Sequence, residues 1–412
     1  MTTPLNTSLS LDNGGDLVAA VPYLLGFHPA DSLVVLALVP DDGYRVGPVL
    51  RIDLPQPDHR ARVARQLGAT TVAHGADKAL VLIVGGGSGT LTHRDLVDEL
   101  DRAFDDVGVE IGHALWARTA HVGEQWWCYA DPECNGIVPD PDAIPMAAAM
   151  AVAGLVKYST REALADTLAP DPPGMVERRA TLLDARIDAR LHSADGTTCH
   201  PTDFARDMTL IDAAIADFDF PDTIRCPATN DPGPPGVNPD QINAVRQGVM
   251  PSPKLNDATQ QGAGAATATR DNPDRRDVAA SQVWAPTRRE ITYPGEPVFD
   301  DDRLVALAIA LSHGDVRDAC LRITLGPRAR SADRLWTRLV RTLPAPERAE
   351  PACLLAIGAH LRGEGTLARI ALEIAVSANP SHALAGLLFT AVDHCITPAE
   401  LRNIIMRATG SA

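Results

Sequence analysis

Residues 221–297 interrupt this chain with a composition unlike the rest of it. The segment carries Asn230-Asp-Pro-Gly-Pro-Pro-Gly and Gln260-Gln-Gly-Ala-Gly-Ala-Ala-Thr-Ala-Thr, with few apolar anchors between them. Such a stretch cannot bury enough surface to offset its ordering entropy, so a disordered or loosely packed linker is expected over 220–298. The expected organisation is then a mixed α/β sheet domain over 1–142, a helical extension over 143–219, the linker, and a helical-repeat-like domain over 299–412. A chain of 412 residues, at about 100–200 per domain, has room for two or three such units.

In the first part, short apolar runs alternate with amphipathic stretches. Seven consecutive apolar residues at 33–39 lie between Pro29-Ala-Asp-Ser and Pro40-Asp-Asp-Gly, the length and flanks of a buried strand. Further strands are expected at 48–54, paired to the first through Asp41-Asp-Gly, at 80–84, at 109–116, and at 121–129 returning antiparallel. Leu5, Leu9 and Leu11 alternate with polar residues, as in a half-buried strand. Helices are expected at 16–25, capped by Gly26, at 58–72, and at 92–104 with Thr92 as the cap and Asp95 three residues on. This order implies one mixed sheet with helices packed on it.

From 144 the pattern is helical: 146–156, 160–168 opened by a Ser159/Glu162 capping box, 175–191 and 202–216. Residues 300–406 are helical again. Small or apolar residues at Ala352, Leu355, Ala356, Ala359, Ala368, Leu372 and Ala375, followed by Pro380, resemble one tetratricopeptide helix pair. Arg362-Gly-Glu-Gly makes the turn between its helices, and 304–325 and 384–405 read as degenerate pairs on either side. The fold class expected is therefore α+β: an N-terminal mixed β-sheet with packed helices, then an all-α tetratricopeptide-like C-terminal domain.

Several chain segments also resemble a known family. They are Val21-Pro-Tyr-Leu-Leu-Gly-Phe-His-Pro-Ala-Asp-Ser-Leu-Val-Val, Trp126-Trp-Cys-Tyr-Ala-Asp-Pro-Glu-Cys, Pro172-Pro-Gly-Met-Val-Glu-Arg-Arg-Ala, Val316-Arg-Asp-Ala and Leu354-Leu-Ala-Ile-Gly-Ala-His-Leu-Arg-Gly-Glu-Gly. Together they resemble the actinobacterial family of the domain of unknown function 4192, over nearly the whole chain except the linker. The resemblance implies a high-GC actinobacterial source, with which the use of only three lysines (Lys78, Lys157, Lys254) among 37 basic residues agrees. It implies no activity, cofactor or catalytic residue.

Acidic residues outnumber basic ones 53 to 37, and the net charge of −16 argues against a generic binder of nucleic acid or anionic membrane. The longest nearly apolar stretch, 143–156, is interrupted by Pro145 and falls short of the roughly 20 residues a spanning helix needs. The first residues show no basic and apolar regions of a secretory signal, and seven cysteines do not make a secreted disulfide framework. A cytoplasmic protein is expected.

Four groups of residues carry possible chemistry. His28, Asp31 and Ser32 are the residue types of a hydrolase triad, but a triad needs the imidazole to bridge nucleophile and carboxylate, which one tight turn rarely allows. The plainer reading has Pro29 fixing the turn, Asp31 or Ser32 accepting turn N–H groups, and His28 packing. If a pocket exists here, His28 is its acid–base candidate. The glycine loop Val84-Gly-Gly-Gly-Ser-Gly-Thr, with Gly85 and Gly87, has neither a dinucleotide fingerprint nor a Walker lysine, and reads as a flexible surface turn into the next helix. Cys128 and Cys134, with His113 and His121 upstream, are weak metal candidates: the spacing is wide and no second cysteine pair follows. Arg178, Arg179, Arg186 and Arg190, mixed with Glu177, Asp184 and Asp188, read as the solvated face of a helix. The neighbouring Trp126 and Trp127 read as one core and one surface aromatic rather than a platform for stacking bases, and His313, His360, His382 and His394 as surface or satisfied core residues.

Two functions are open from these residues, with no cofactor implied. One is a non-catalytic scaffold or regulatory protein that binds a protein or peptide through its helical domain, with a homo-oligomer possible and neither nucleic acid nor membrane as partner. The other is a small-molecule sensor or hydrolase-type enzyme with a pocket near His28, Asp31, Ser32, Gly85 and Gly87.

Overall fold

A computed structural model describes residues 14–41, 43–87, 91–140, 157–193, 201–219 and 297–410. The expected strand near Leu5, helix 146–156 and linker lie outside these residues. The described parts of 14–219 and 297–410 belong to one compact unit.

Helix α1 (Gly14–Leu25) leads into strands β1 (Ser32–Asp41) and β2 (Gly43–Asp53). Helix α2 (Arg60–Ala73), strand β3 (Lys78–Val84), helix α3 (Arg94–Asp105) and strand β4 (Glu110–Ala117) follow. Two short strands, β5 (Gln125–Cys128) and β6 (Asn135–Ile137), complete a sheet of order β2-β1-β3-β4-β5-β6. Only β3 and β4 pair in parallel; every other neighbour is antiparallel. Strand alternation splits the apolar residues between two cores. Val34, Leu36, Leu80, Leu82, Leu115 and Cys128 face α1, whereas Leu33, Val35, Val81, Ile83 and Trp116 face α2 and α3. Strands β1 and β3 are thus buried on both faces, which is why they read as continuous apolar runs.

The helical part comprises α4 (Arg161–Asp166), α5 (Pro173–Ser193), α6 (Pro201–Ala216), α7 (Asp301–Leu311), α8 (Gly314–Ile323), α9 (Ala329–Thr342), α10 (Ala349–Leu361), α11 (Gly365–Ala378), α12 (Ala383–Asp393) and α13 (Pro398–Ala408). They share one core built around α10, which is buried almost throughout and packs against α8, α9, α11, α12 and α13. A helix apolar all round has no other stable place. Among the described residues no helix is long and apolar enough to cross a membrane.

The structure corrects three sequence expectations. Thr160, and not Ser159, caps α4, its hydroxyl accepting the Ala163 N–H at 3.0 Å. Thr92 does not cap α3; His93 occupies that place in a left-handed conformation (φ 64°), and Asp95 turns away to pair with Arg60. On α5, Arg178 and Arg190 are exposed as a solvated face requires, but Arg179 is not. Arg179 is buried, bonding Asp301 at 2.7 Å, Asp171 at 2.8 Å and the Thr342 carbonyl at 3.0 Å, while Arg178 and Arg186 hold Asp301 and Asp302. Alternating charge on α5 is therefore a clip onto α7.

Of the C-terminal histidines, three bond within the fold: His313 to Asp207 at 2.8 Å, His360 to the Ile396 carbonyl at 2.8 Å, and His382 as the acceptor that caps α12.

Candidate functional site

After α1, Gly26 (φ 81°) reverses the chain, and Phe27 forms an isolated bridge with Tyr158, just before α4. The His28 N–H donates to the Tyr158 carbonyl at 3.1 Å, and the Tyr158 N–H to the Gly26 carbonyl at 2.8 Å. Sheet and helices are thereby joined at the turn that carries His28, Asp31 and Ser32.

Asp31 is itself left-handed (φ 42°), and its carboxylate reaches the glycine loop, accepting the Gly86 N–H at 2.8 Å. Its partner is thus 55 residues away instead of within its own turn. Ser32 is fully buried; its hydroxyl donates to the Ala30 carbonyl at 2.6 Å and accepts from Arg51 at 2.9 Å. His28, Asp31 and Ser32 are not bonded to one another, so the triad arrangement is not assembled.

Residues 85–87 of the loop expected to be a flexible turn are pinned, and Ser88, Gly89 and Thr90 lie outside the described residues. Gly85, Gly86 and Gly87 all have positive φ (80°, 82° and 137°), which L side chains rarely adopt. The Gly85 N–H donates to the Ala117 carbonyl and the Gly85 carbonyl accepts from Trp116, both at 2.9 Å. The Gly86 carbonyl accepts from His93 Nε2 at 2.9 Å, and His93 Nδ1 faces Arg60 at 2.8 Å. A carbonyl only accepts and a guanidinium only donates, so His93 is the neutral tautomer with its proton on Nε2. Two of the three N–H groups of Gly85–Gly87 are thus consumed internally and do not point at a ligand.

These turns line a cleft of about 420 Å³ with His28, Asp31, Gly85 and Gly87, whereas Ser32 does not line it. The structure adds Arg118, His121, Ser159 and Thr160, which sequence reasoning did not place there. The sheet topology explains Arg118. Parallel β3 and β4 end side by side, so Gly85 and Arg118 emerge together, and ligands of α/β sheets sit outside such carboxyl ends. Arg118 is exposed and makes no ion pair or hydrogen bond among the described residues. The rings of His28 and His121 stack with centroids 4.6 Å apart. Burial, then the charges of His121 and Lys157, hold the His28 imidazole below its ordinary value, so it is neutral at pH 7. Its Nδ1 is buried and bonds to nothing among the described residues.

The histidines upstream of the cysteines separate. His121 belongs to the cleft, whereas ligand atoms of His113, Cys128 and Cys134 all lie within 4.8 Å of one another. Burial and then the adjacent Cys128 push the Cys134 thiol up.

Neither the curated proteins nor the solved structures contain a match to this chain. A family model described as "Domain of unknown function (DUF4192)" matches residues 15–229 and 237–399, a span that includes the cleft, the cysteine turn and most of the helical core. With that coverage, the chain belongs to the DUF4192 family.

Proposed function

We propose that the protein binds a small anionic molecule in the cleft between the sheet and α4. The observation that carries this reading is the Arg118 guanidinium beside the stacked His28–His121 pair, where neither that guanidinium nor the buried His28 Nδ1 has a partner among the described residues. A buried nitrogen left unsatisfied is costly unless something bonds it, and the exposed guanidinium beside it is free to bond a ligand that enters the cleft. An anion supplies the counter-charge and the acceptor together. The neutral His28 gains a proton as the anion binds, so binding strengthens as pH falls. The same proton weighs against the unliganded fold: a lowered histidine contributes stability above its unfolded value, and that contribution is lost as pH falls through the folded one.

The test is thermal denaturation of the full chain with inorganic pyrophosphate and a panel of phosphorylated sugars and nucleotides. At least one raises the melting temperature, more at pH 6 than at pH 8, and His28→Asn removes the pH dependence. Loss of one charge-assisted bond, about 1.5–3 kcal/mol, predicts roughly a 10- to 100-fold weaker affinity in Arg118→Gln. A panel that shifts neither protein, or shifts both equally, overturns the reading.

A second reading, a helical scaffold for a protein or peptide, draws on tetratricopeptide-like pairing and on two exposed apolar side chains. Leu387 of α12 is 70% exposed and Ile404 of α13 is 51% exposed. On this reading Leu387→Asp abolishes capture of a stoichiometric peptide or protein while the anion-induced shift persists; capture unchanged by the substitution excludes these helices as the surface.

A further inference from the structure

We propose that His113, Cys128 and Cys134 form a zinc site that clamps the β4–β5–β6 edge of the sheet. Three chain segments supply the ligands. His113 stands two residues before Leu115 on β4, and Leu115 pairs with Cys128 across the ladder, so imidazole and thiol leave the same face. Cys134 immediately precedes β6, and its carbonyl accepts the Cys128 N–H at 2.9 Å. That bond closes the intervening turn and returns the second thiol to the first. Asp131 stiffens the turn, accepting the Cys134 N–H on its carbonyl at 3.1 Å and the Glu133 N–H on its carboxylate at 2.9 Å.

The donor set selects the ion. Two thiols and an imidazole suit a borderline-soft cation, whereas calcium and magnesium need oxygen. Zinc bonds of about 2.0–2.3 Å hold tetrahedral ligand atoms roughly 3.5 Å apart. Atoms already within 4.8 Å close on an ion by side-chain adjustments of about an ångström. Zinc replaces the proton on each thiol, releasing both protons to the buffer with no change of oxidation state, and water takes the fourth position.

The strands give the site its role. β5 pairs with β4 over only three registered residues, and β6 is three residues long at the sheet's edge. Such an edge gains most from a cross-link. The site is independent of the anion cleft, since His113 precedes Arg118 by five residues on an extended strand, roughly 16 Å at about 3.3 Å per residue.

The experiment measures zinc in the full-length protein after zinc exposure and desalting, and the near-ultraviolet thiolate-to-cobalt absorption after cobalt substitution. Stoichiometric zinc is expected in the parent and in Cys395→Ser, with at least tenfold less in Cys134→Ser and His113→Gln. Added zinc should raise the melting temperature of the parent but not of these two variants. Background zinc in the parent, equal zinc in parent and Cys134→Ser, or zinc-free protein with a Cys128–Cys134 disulfide would each overturn the proposal. Should a variant fail to fold, absence of the thiolate–cobalt band from the parent decides against the site.

Discussion

Arg179→Met is expected to destabilise the protein by about 3–5 kcal/mol, a large part of the 5–15 kcal/mol typical of a folded domain. The Arg179 side chain is 2% exposed and bonds two carboxylates and a carbonyl. Methionine fills much of the volume but leaves Asp171, only 10% exposed, and Asp301 without this partner. Replacing a whole buried ion cluster with apolar residues can be neutral; removing its central cation alone is not. Lysine restores only part of the loss, because a single ammonium lacks the fork that spans three acceptors. Arg178→Met is the control: its guanidinium reaches Asp301 too but is 60% exposed and screened by water, and its loss is expected to cost far less. Arg178, then Arg179, hold the Asp301 carboxyl below its ordinary value of 3.8. That stability is present above pH 3.8 and lost as pH falls through the folded value. Urea midpoints at neutral pH and near pH 3 therefore show the gap between the parent and Arg179→Met narrowing in acid. Equal losses for the two methionine variants would refute the clip.

The contrast between these arginines marks where sequence reading stopped. Strands β1 and β3 were legible because burial on both faces leaves an unbroken apolar run bounded by turn residues. Helix α10 was legible from its apolar and small residues, and α1 from the glycine that ends it. Strand β6, Asn135-Gly-Ile, is too short to alternate and pairs only because the turn after Cys128 delivers it. Charges on α5 look solvated when read alone, since Asp301 and Asp302 come from more than 100 residues later. The cleft divides in the same way. His28, Asp31, Gly85 and Gly87 belong to local motifs, whereas Arg118 enters through the parallel pairing of β3 and β4. Arg118 follows a strand end in the sequence, with no local motif that points it at the glycine loop. Cys128 and Cys134 look too far apart along the chain for a metal, and His113 is brought to them by strand register.

Gly86→Ala is expected to cost about 3 kcal/mol and to abolish the anion-induced thermal shift. Two separate penalties add. Holding alanine at φ 82° costs about 1–2 kcal/mol, since its Cβ crowds its own backbone there. That Cβ would also collide with the His93 ring and lie 2.7 Å from Leu54 Cδ1, an overpacking worth about 1–3 kcal/mol. His93 cannot simply withdraw, because Arg60 holds its other nitrogen at 2.8 Å and Asp95 holds Arg60. Either the ring moves and Gly86 loses its donor, or the loop moves and Asp31 loses the Gly86 N–H. Both outcomes displace a wall of the cleft. Gly75→Ala separates the two penalties: its φ is 73°, but no described residue lies within 4 Å of the added Cβ. It should show the backbone strain alone and keep the ligand response. If Gly86→Ala costs no more than Gly75→Ala by urea denaturation, the loop yields easily. Its pinning by His93 and Asp31 then does not shape the cleft.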